Sequence, residues 1–169
     1  MDKHPLIIFR EVQKFKEPWI WALIMIAPAV FLYGMIQQLI LKKPWGNNPM
    51  SDTSLLILGL IVIIGLPLFI YLVRLETEVR KDGIYYRYLP FHFSFHQIPS
   101  STLLSWQVIH YQPLRDYGGW GIRYGKFGKA YTLTGNKGIQ LFIKDQKKIL
   151  LGTLKPEEFK QAIDLITNK

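Results

Sequence analysis

The chain has no cysteine among its 169 residues. Disulfides, thiolate nucleophiles and cysteine-based metal sites are therefore excluded. Acids are scarce too, 12 Asp and Glu against 21 Lys and Arg, for a net charge of +9. Two stretches, 19–41 and 54–73, hold no charged side chain at all. With no Asp, Glu, Lys, Arg or His inside them, neither can hold a proton relay or an ion site. The catalytic signatures GxSxG and HExxH are missing, and no serine stands beside a credible base. A P-loop fails as well, because Gly125-Lys126 has Trp120 where the first glycine belongs and Phe127 where Ser or Thr belongs. No enzymatic constellation and no cofactor are expected.

What is present begins with those two apolar stretches. At about 1.5 Å per residue each is long enough for a hydrocarbon core of about 30 Å. Neither keeps the polar stripe of a soluble helix. The reading is a transmembrane helical hairpin over 19–73, with spans at 19–41 and 54–73. A cleaved signal peptide is the competing reading of the first span, but the span is too long for one and no small-x-small site follows. Lys3, Arg10, Lys14 and Lys16 precede the hairpin, and Arg74, Arg80, Lys81 and Arg87 follow it. The connecting loop has only Lys42 and Lys43. Positive charge marks the cytoplasmic side, so both termini are expected there. Trp19, Trp21, Trp45 and Tyr71 near the span ends suit the membrane interface. Pro28 and Pro67 each remove a backbone donor, and a static kink or a hinge would follow. Asp52 or Ser54 is the expected cap of the second helix.

Residues 1–18 form a basic lead-in. Phe9, Val12 and Phe15 recur every three positions among charged residues, which predicts a short amphipathic interfacial helix. After Val73 the period becomes two. Strands are expected at 75–79, 84–89, 92–98, 103–111, 130–133, 139–143 and 148–151, with Asp82-Gly83 turning the first hairpin. Pro156, Glu157 and Glu158 open a final helix whose apolar face is Phe159, Ala162, Ile163 and Ile166.

This order of short strands closed by one helix resembles the pleckstrin-homology-like (PH-like) fold, a bent seven-stranded β-barrel capped by a C-terminal helix. FREVQKF at 9–15, YGGWGIR at 117–123, GNKGIQL at 135–141 and ILLGTLKPEEFKQAI at 149–163 are similar to bacterial membrane proteins in which two spans precede a PH-like domain. The resemblance implies a PH-like domain over 74–169, a bacterial inner (cytoplasmic) membrane location, and binding or scaffolding in place of a reaction.

The segment 115–131 is the best candidate surface. Arg115, Arg123, Lys126 and Lys129 stand among Tyr117, Trp120 and Tyr124, with Asp116 the one acid. Cations pair with lipid phosphates while aromatic rings enter the interface. A purely structural reading competes: a glycine-bulged hairpin with Trp120 filling the barrel. His92, His96 and His110 raise a metal question, but residues four apart in a strand lie about 13 Å apart. One ion is then out of reach unless the chain bends at Pro90 or Pro99. Glu76 and Glu78 share a strand face as acid–base pairs do, although a solvated face explains them as well. The expected partners are the bilayer, anionic lipid headgroups or a protein partner, with no nucleic-acid motif. The alternatives are a subunit of a larger membrane complex and, further off, a lipid-modifying enzyme.

Overall fold

A computed structural model describes residues 6–125 and 128–167. The chain divides into two compact units, one made of 15–72 and the other of 1–14 with 73–169.

The first unit is a helical hairpin. Helix α1 (Pro18–Met35) runs on through a π-helical turn, Ile36–Ile40. Helices α2 (Asp52–Leu60) and α3 (Leu66–Leu72) are joined by a second π-turn, Ile61–Gly65. The wider turn lies just ahead of Pro67, and the Leu66 N–H reaches back five residues to the Ile61 carbonyl. It absorbs the donor that Pro67 lacks. The two helical stretches, Pro18–Ile40 and Asp52–Leu72, are long and apolar enough to cross a membrane. Gly59 lies against Met35 and Gly34 against the Trp45 ring, so close that a Cβ on either glycine would collide. These glycines let the hairpin close on itself without a paired small-residue motif. Gln38 fastens the loop: its Nε2 donates to the Met50 carbonyl at 2.7 Å and to Asp52 Oδ1 at 2.8 Å. The cap of α2 is Ser51, whose Oγ accepts from the Ser54 N–H at 3.2 Å. Neither Asp52 nor Ser54 takes that part.

The second unit begins with a correction. Residues Ile7–Lys14 form a β-strand, β1, where the sequence suggested an interfacial helix. Its alternation is real but disguised. Phe9, Glu11 and Gln13 point inward, and two of the three are polar. Glu11 accepts from the Thr153 hydroxyl and, at 2.8 Å, from the Leu154 N–H. Gln13 Nε2 donates to the Gly152 carbonyl at 2.7 Å. Buried polar groups need such partners: Glu11 and Gln13 Nε2 have them, while Gln13 Oε1 has none among the described residues.

Strand β1 pairs antiparallel with β2 (Arg74–Arg80), in register from Arg10↔Glu78 to Lys14↔Arg74. β3 (Gly83–Leu89) and β4 (His96–Pro99) complete a four-stranded sheet in the order β1-β2-β3-β4. A second sheet has the order β5-β8-β9-β7-β6. Its strands are β5 (Leu103–His110), β6 (Gly121–Gly125), β7 (Gly128–Thr132), β8 (Lys137–Ile143) and β9 (Lys147–Gly152). The described residues thus form nine strands in two sheets and no closed barrel. A short helix, α4 (Pro113–Tyr117), precedes β6. The closing helix α5 (Pro156–Thr167) forms as expected. It buries Phe159, Ala162 and Ile163, and the Phe159 ring stacks on Phe9 at 5.0 Å. Trp106 Nε1 adds a 2.8 Å bond to Asp164.

A domain cut from the chain after the hairpin therefore lacks one of its own strands. A fragment of residues 73–169 is expected to unfold without cooperativity, exposing Phe159. Joining residues 1–14 to 73–169 through a few Gly and Ser residues should restore a cooperative transition, because Lys14 and Arg74 are already paired. In that joined chain Phe9→Ala should cost about 3–5 kcal/mol. Urea unfolding followed by circular dichroism checks all three.

Candidate functional site

The outer face of the first sheet carries an ion-pair ladder. Glu76 and Glu78 are 3 % exposed, so they are no solvated face. Each is claimed by two arginines. Glu76 meets Arg74 at 2.7 Å and Arg87 at 2.7 Å, and Glu78 meets Arg80 at 2.7 Å and Arg10 at 3.4 Å. Arg80 and Arg87 also lie over the Phe95 ring. Carboxylates so engaged are not available as acid–base groups, which removes that reading.

A different cluster gathers where the segment after β3 meets the β6–β7 hairpin. Beyond Leu89 the chain leaves the strand through the cis Leu89–Pro90 bond, and the His92 N–H closes a turn on the Tyr88 carbonyl at 2.8 Å. His92 and His96 do not lie along one strand as the sequence suggested. Their rings meet edge to face with centroids 4.3 Å apart. His92 also contacts Tyr131 at 5.7 Å, and Tyr86 lies 5.5 Å from His96 and 4.7 Å from Tyr131. From the hairpin, the Lys129 ammonium sits 5.0 Å from the Tyr131 ring and 5.5 Å from the Tyr124 ring. Tyr124 and Lys129 are directly opposite across the β6–β7 ladder, which puts them on one face. Phe91, Tyr124 and Phe93 are exposed, Phe93 to 81 %.

Among the described residues, no carboxylate acts on His92 or Lys129. The His92 imidazole is pushed down from its ordinary value, first by burial and then by the charges of His96 and Lys129. The Lys129 ammonium is pushed up, first by the Tyr131 hydroxyl beside it and also by Tyr124. Burial raises Tyr86 strongly, and it raises Tyr88 to about 12 against the opposing charge of Arg123. His92 Nδ1 is buried and finds no hydrogen-bond partner among the described residues. Among those residues no group of three or more His, Asp or Glu that could hold a metal ion gathers.

The candidate residues thus separate. Tyr124 and Lys129 join the cluster, and Arg123 is near enough for its charge to act on Tyr88. Arg115 lies exposed on α4, 3.8 Å from Asp116. Tyr117 is core, with Tyr111, Ala130 and Leu150. Trp120 does not fill a barrel: it is 38 % exposed and its Nε1 donates to the Gly135 carbonyl at 2.9 Å. Lys126 lies outside the described residues. The glycines have separate uses. Gly118 caps α4 in the left-handed region, and Gly125 presses against Asp116 and Tyr117. Tyr86, His92, His96 and Tyr131 were not read as one site. The one signal for it was the pair of prolines that allowed the chain to bend.

Residues 2–167 match a family of unknown function (DUF6141). The chain belongs to that family. No curated protein and no solved structure matches it. The matched residues span both the hairpin and the β-rich unit.

Two outcomes follow. Because His92 is held neutral, it contributes stability that is present at neutral pH and lost as pH falls through about 6.5 toward its lower folded value. The thermal midpoint should therefore drop between pH 7.5 and 5.5, and His92→Gln should flatten that dependence. A Cβ on Gly125 would fall 2.6 Å from the Tyr117 ring and closer still to the Asp116 carbonyl. Gly125→Ala should accordingly cost about 1–3 kcal/mol by overpacking, read by denaturant titration.

Proposed function

We propose that this chain is a non-enzymatic, two-span membrane protein that presents its β-rich domain on the same side as both termini, as a binding or scaffold module. The observation that carries the reading is the β1–β2 ladder. Strand β1 precedes the two apolar helices and β2 follows them, yet the two pair residue for residue. Strands on opposite sides of a bilayer cannot pair, so two crossings between them return the chain to the side it left. The helices support a membrane setting in another way. Only 11 % of each apolar stretch is buried, and Leu23, Ile26, Ile61 and Ile64 are all more than half exposed. A soluble protein rarely leaves so much contiguous apolar surface in water. The lysines and arginines flanking the hairpin favour the cytoplasmic side for both ends, and the inner membrane of a bacterium is the setting that fits.

The face of the domain formed by Tyr124, Lys129, Arg123, His92 and the exposed Phe91 and Phe93 suits an anionic lipid surface. Its cations attract the leaflet and its aromatic rings favour the interface. Arg115 and Lys126 add charge to the same stretch of sequence. The PH-like comparison bears on this reading as a likeness of strand order with a closing helix.

Since the chain has no cysteine, single cysteines report topology cleanly. Asn47→Cys in the loop and Lys160→Cys on the exposed side of α5 should react with an impermeant maleimide from opposite sides of the membrane. Reaction of both from one side sinks the two-span reading. The joined, hairpin-free domain should float with anionic vesicles and not with neutral ones. Arg123→Ala with Lys129→Ala should weaken that binding roughly 30-fold, at about 1 kcal/mol per cation. A folded domain that ignores both vesicles transfers the role to a protein partner.

A further inference from the structure

Among the described residues, no carboxylate pairs with the cluster of His92, His96 and Lys129. Two imidazoles with centroids 4.3 Å apart and an ammonium 5.0 Å from the ring of Tyr131, which His92 also contacts, come from two separate elements. The groups facing them are phenols: Tyr86 from β3, Tyr124 from β6 and Tyr131 from β7. The interactions acting on His92 and Lys129 include no carboxylate. This contrasts with the ladder on the outer face of the first sheet, where every glutamate is matched by arginines. The first sheet thus neutralises its arginines on one face, whereas the cluster where His96 of β4 approaches β7 of the second sheet pairs with no carboxylate among the described residues.

We propose that His92, His96 and Lys129 form a binding site for a phosphate group. Three features of the cluster suit a phosphate group. The donors are point donors approaching from different directions, which suits the tetrahedral oxygens of phosphate, whereas a planar carboxylate is best met by the fork of an arginine. His92 Nδ1 is buried without a partner among the described residues and is available to an added acceptor. Tyrosine hydroxyls around the site donate to anionic oxygens without adding negative charge at neutral pH. The exposed Phe91 and Phe93 flank His92 in sequence and offer an apolar rim, so the phosphate comes either free in solution or on a lipid headgroup. The inference builds on the surface reading above, but its free-phosphate arm requires no membrane contact.

Linkage supplies the test. An anion that binds the charged imidazoles must raise their pKa, by about one unit for a close pair. The full chain in nonionic detergent, carrying His4→Gln and His110→Gln, leaves only these two histidines for carbon-13 labelling. Both imidazole pKa values should rise by about one unit in saturating inorganic phosphate but not in sodium chloride of equal ionic strength. Lys129→Gln should at least halve the shift, with the strand signature in circular dichroism intact. The same titration is run in nanodiscs of phosphatidylcholine with or without phosphatidic acid. A rise with phosphatidic acid alone assigns the site to lipid, and a rise with inorganic phosphate assigns it to the phosphate group whatever carries it. Unchanged pKa values in both arms overturn the site, as does an equal rise in chloride. Either result leaves the two-span topology standing, because that rests on the maleimide experiment.

Discussion

The pairing of β1 with β2 is the constraint on which the rest of the structure depends. Lys14 closes one end of the ladder opposite Arg74, so the chain departs for the helical hairpin and returns from it at neighbouring points of one sheet. The hairpin is topologically an insertion between two adjacent strands. Its loop-closure cost is offset by a ladder running from Arg10↔Glu78 to Lys14↔Arg74, and by the inward bonds of Glu11 and Gln13 to the segment Gly152–Leu154. The domain's first strand is thus tied to the turn before its last helix, far away in sequence. The Phe9–Phe159 stack completes the same closure in apolar contacts.

That closure also explains why polar residues lie inside. A β1 of alternating apolar residues would pack on α5 but would leave the Leu154 N–H and the Gly152 carbonyl without partners. Glu11 and Gln13 are placed where those groups end, and each meets its partner with its own side chain. The burial of a carboxylate at 7 % exposure is tolerable because two donors converge on it. The same logic governs the glutamates of β2, each of which is shared between two arginines. The domain accepts buried charge only where it is fully matched. The cationic cluster around His92 departs from that rule.

Much of this was legible in the sequence. The two uncharged stretches, the Asp82-Gly83 turn between β2 and β3, and the apolar face of α5 each follow from local chemistry. What was hidden depends on distant partners. β1 looked helical because its inward positions are polar, and only Thr153 and Leu154 make sense of them. The two strands around residues 126 and 127 are short and bordered by glycines at Gly121, Gly125 and Gly128, which dilutes any alternation. The two-sheet arrangement was not readable from strand order alone, since the parallel pairing of β7 with β9 joins segments separated by β8. The candidate segment 115–131 was found as a basic, aromatic run. Composition could not say that Tyr117 is core and Tyr124 is surface, because that division follows from the α4 turn and the hairpin register.

The functional residues that sequence missed were missed for a geometric reason. Along a straight strand His92 and His96 stand about 13 Å apart. The turn after Leu89 brings their rings into contact and sets His92 against Tyr131, so that residues from the two sheets share one environment. Such a convergence is costly unless something is gained. Burial and like charge together lower the His92 pKa, so the free protein loses stability there as pH falls below about 6.5. Core packing does not require it, since His96 is exposed and His92 is only half-buried. Residues held at such a cost, on a face rimmed by exposed phenylalanines, are better explained by an anion they receive than by the fold they interrupt.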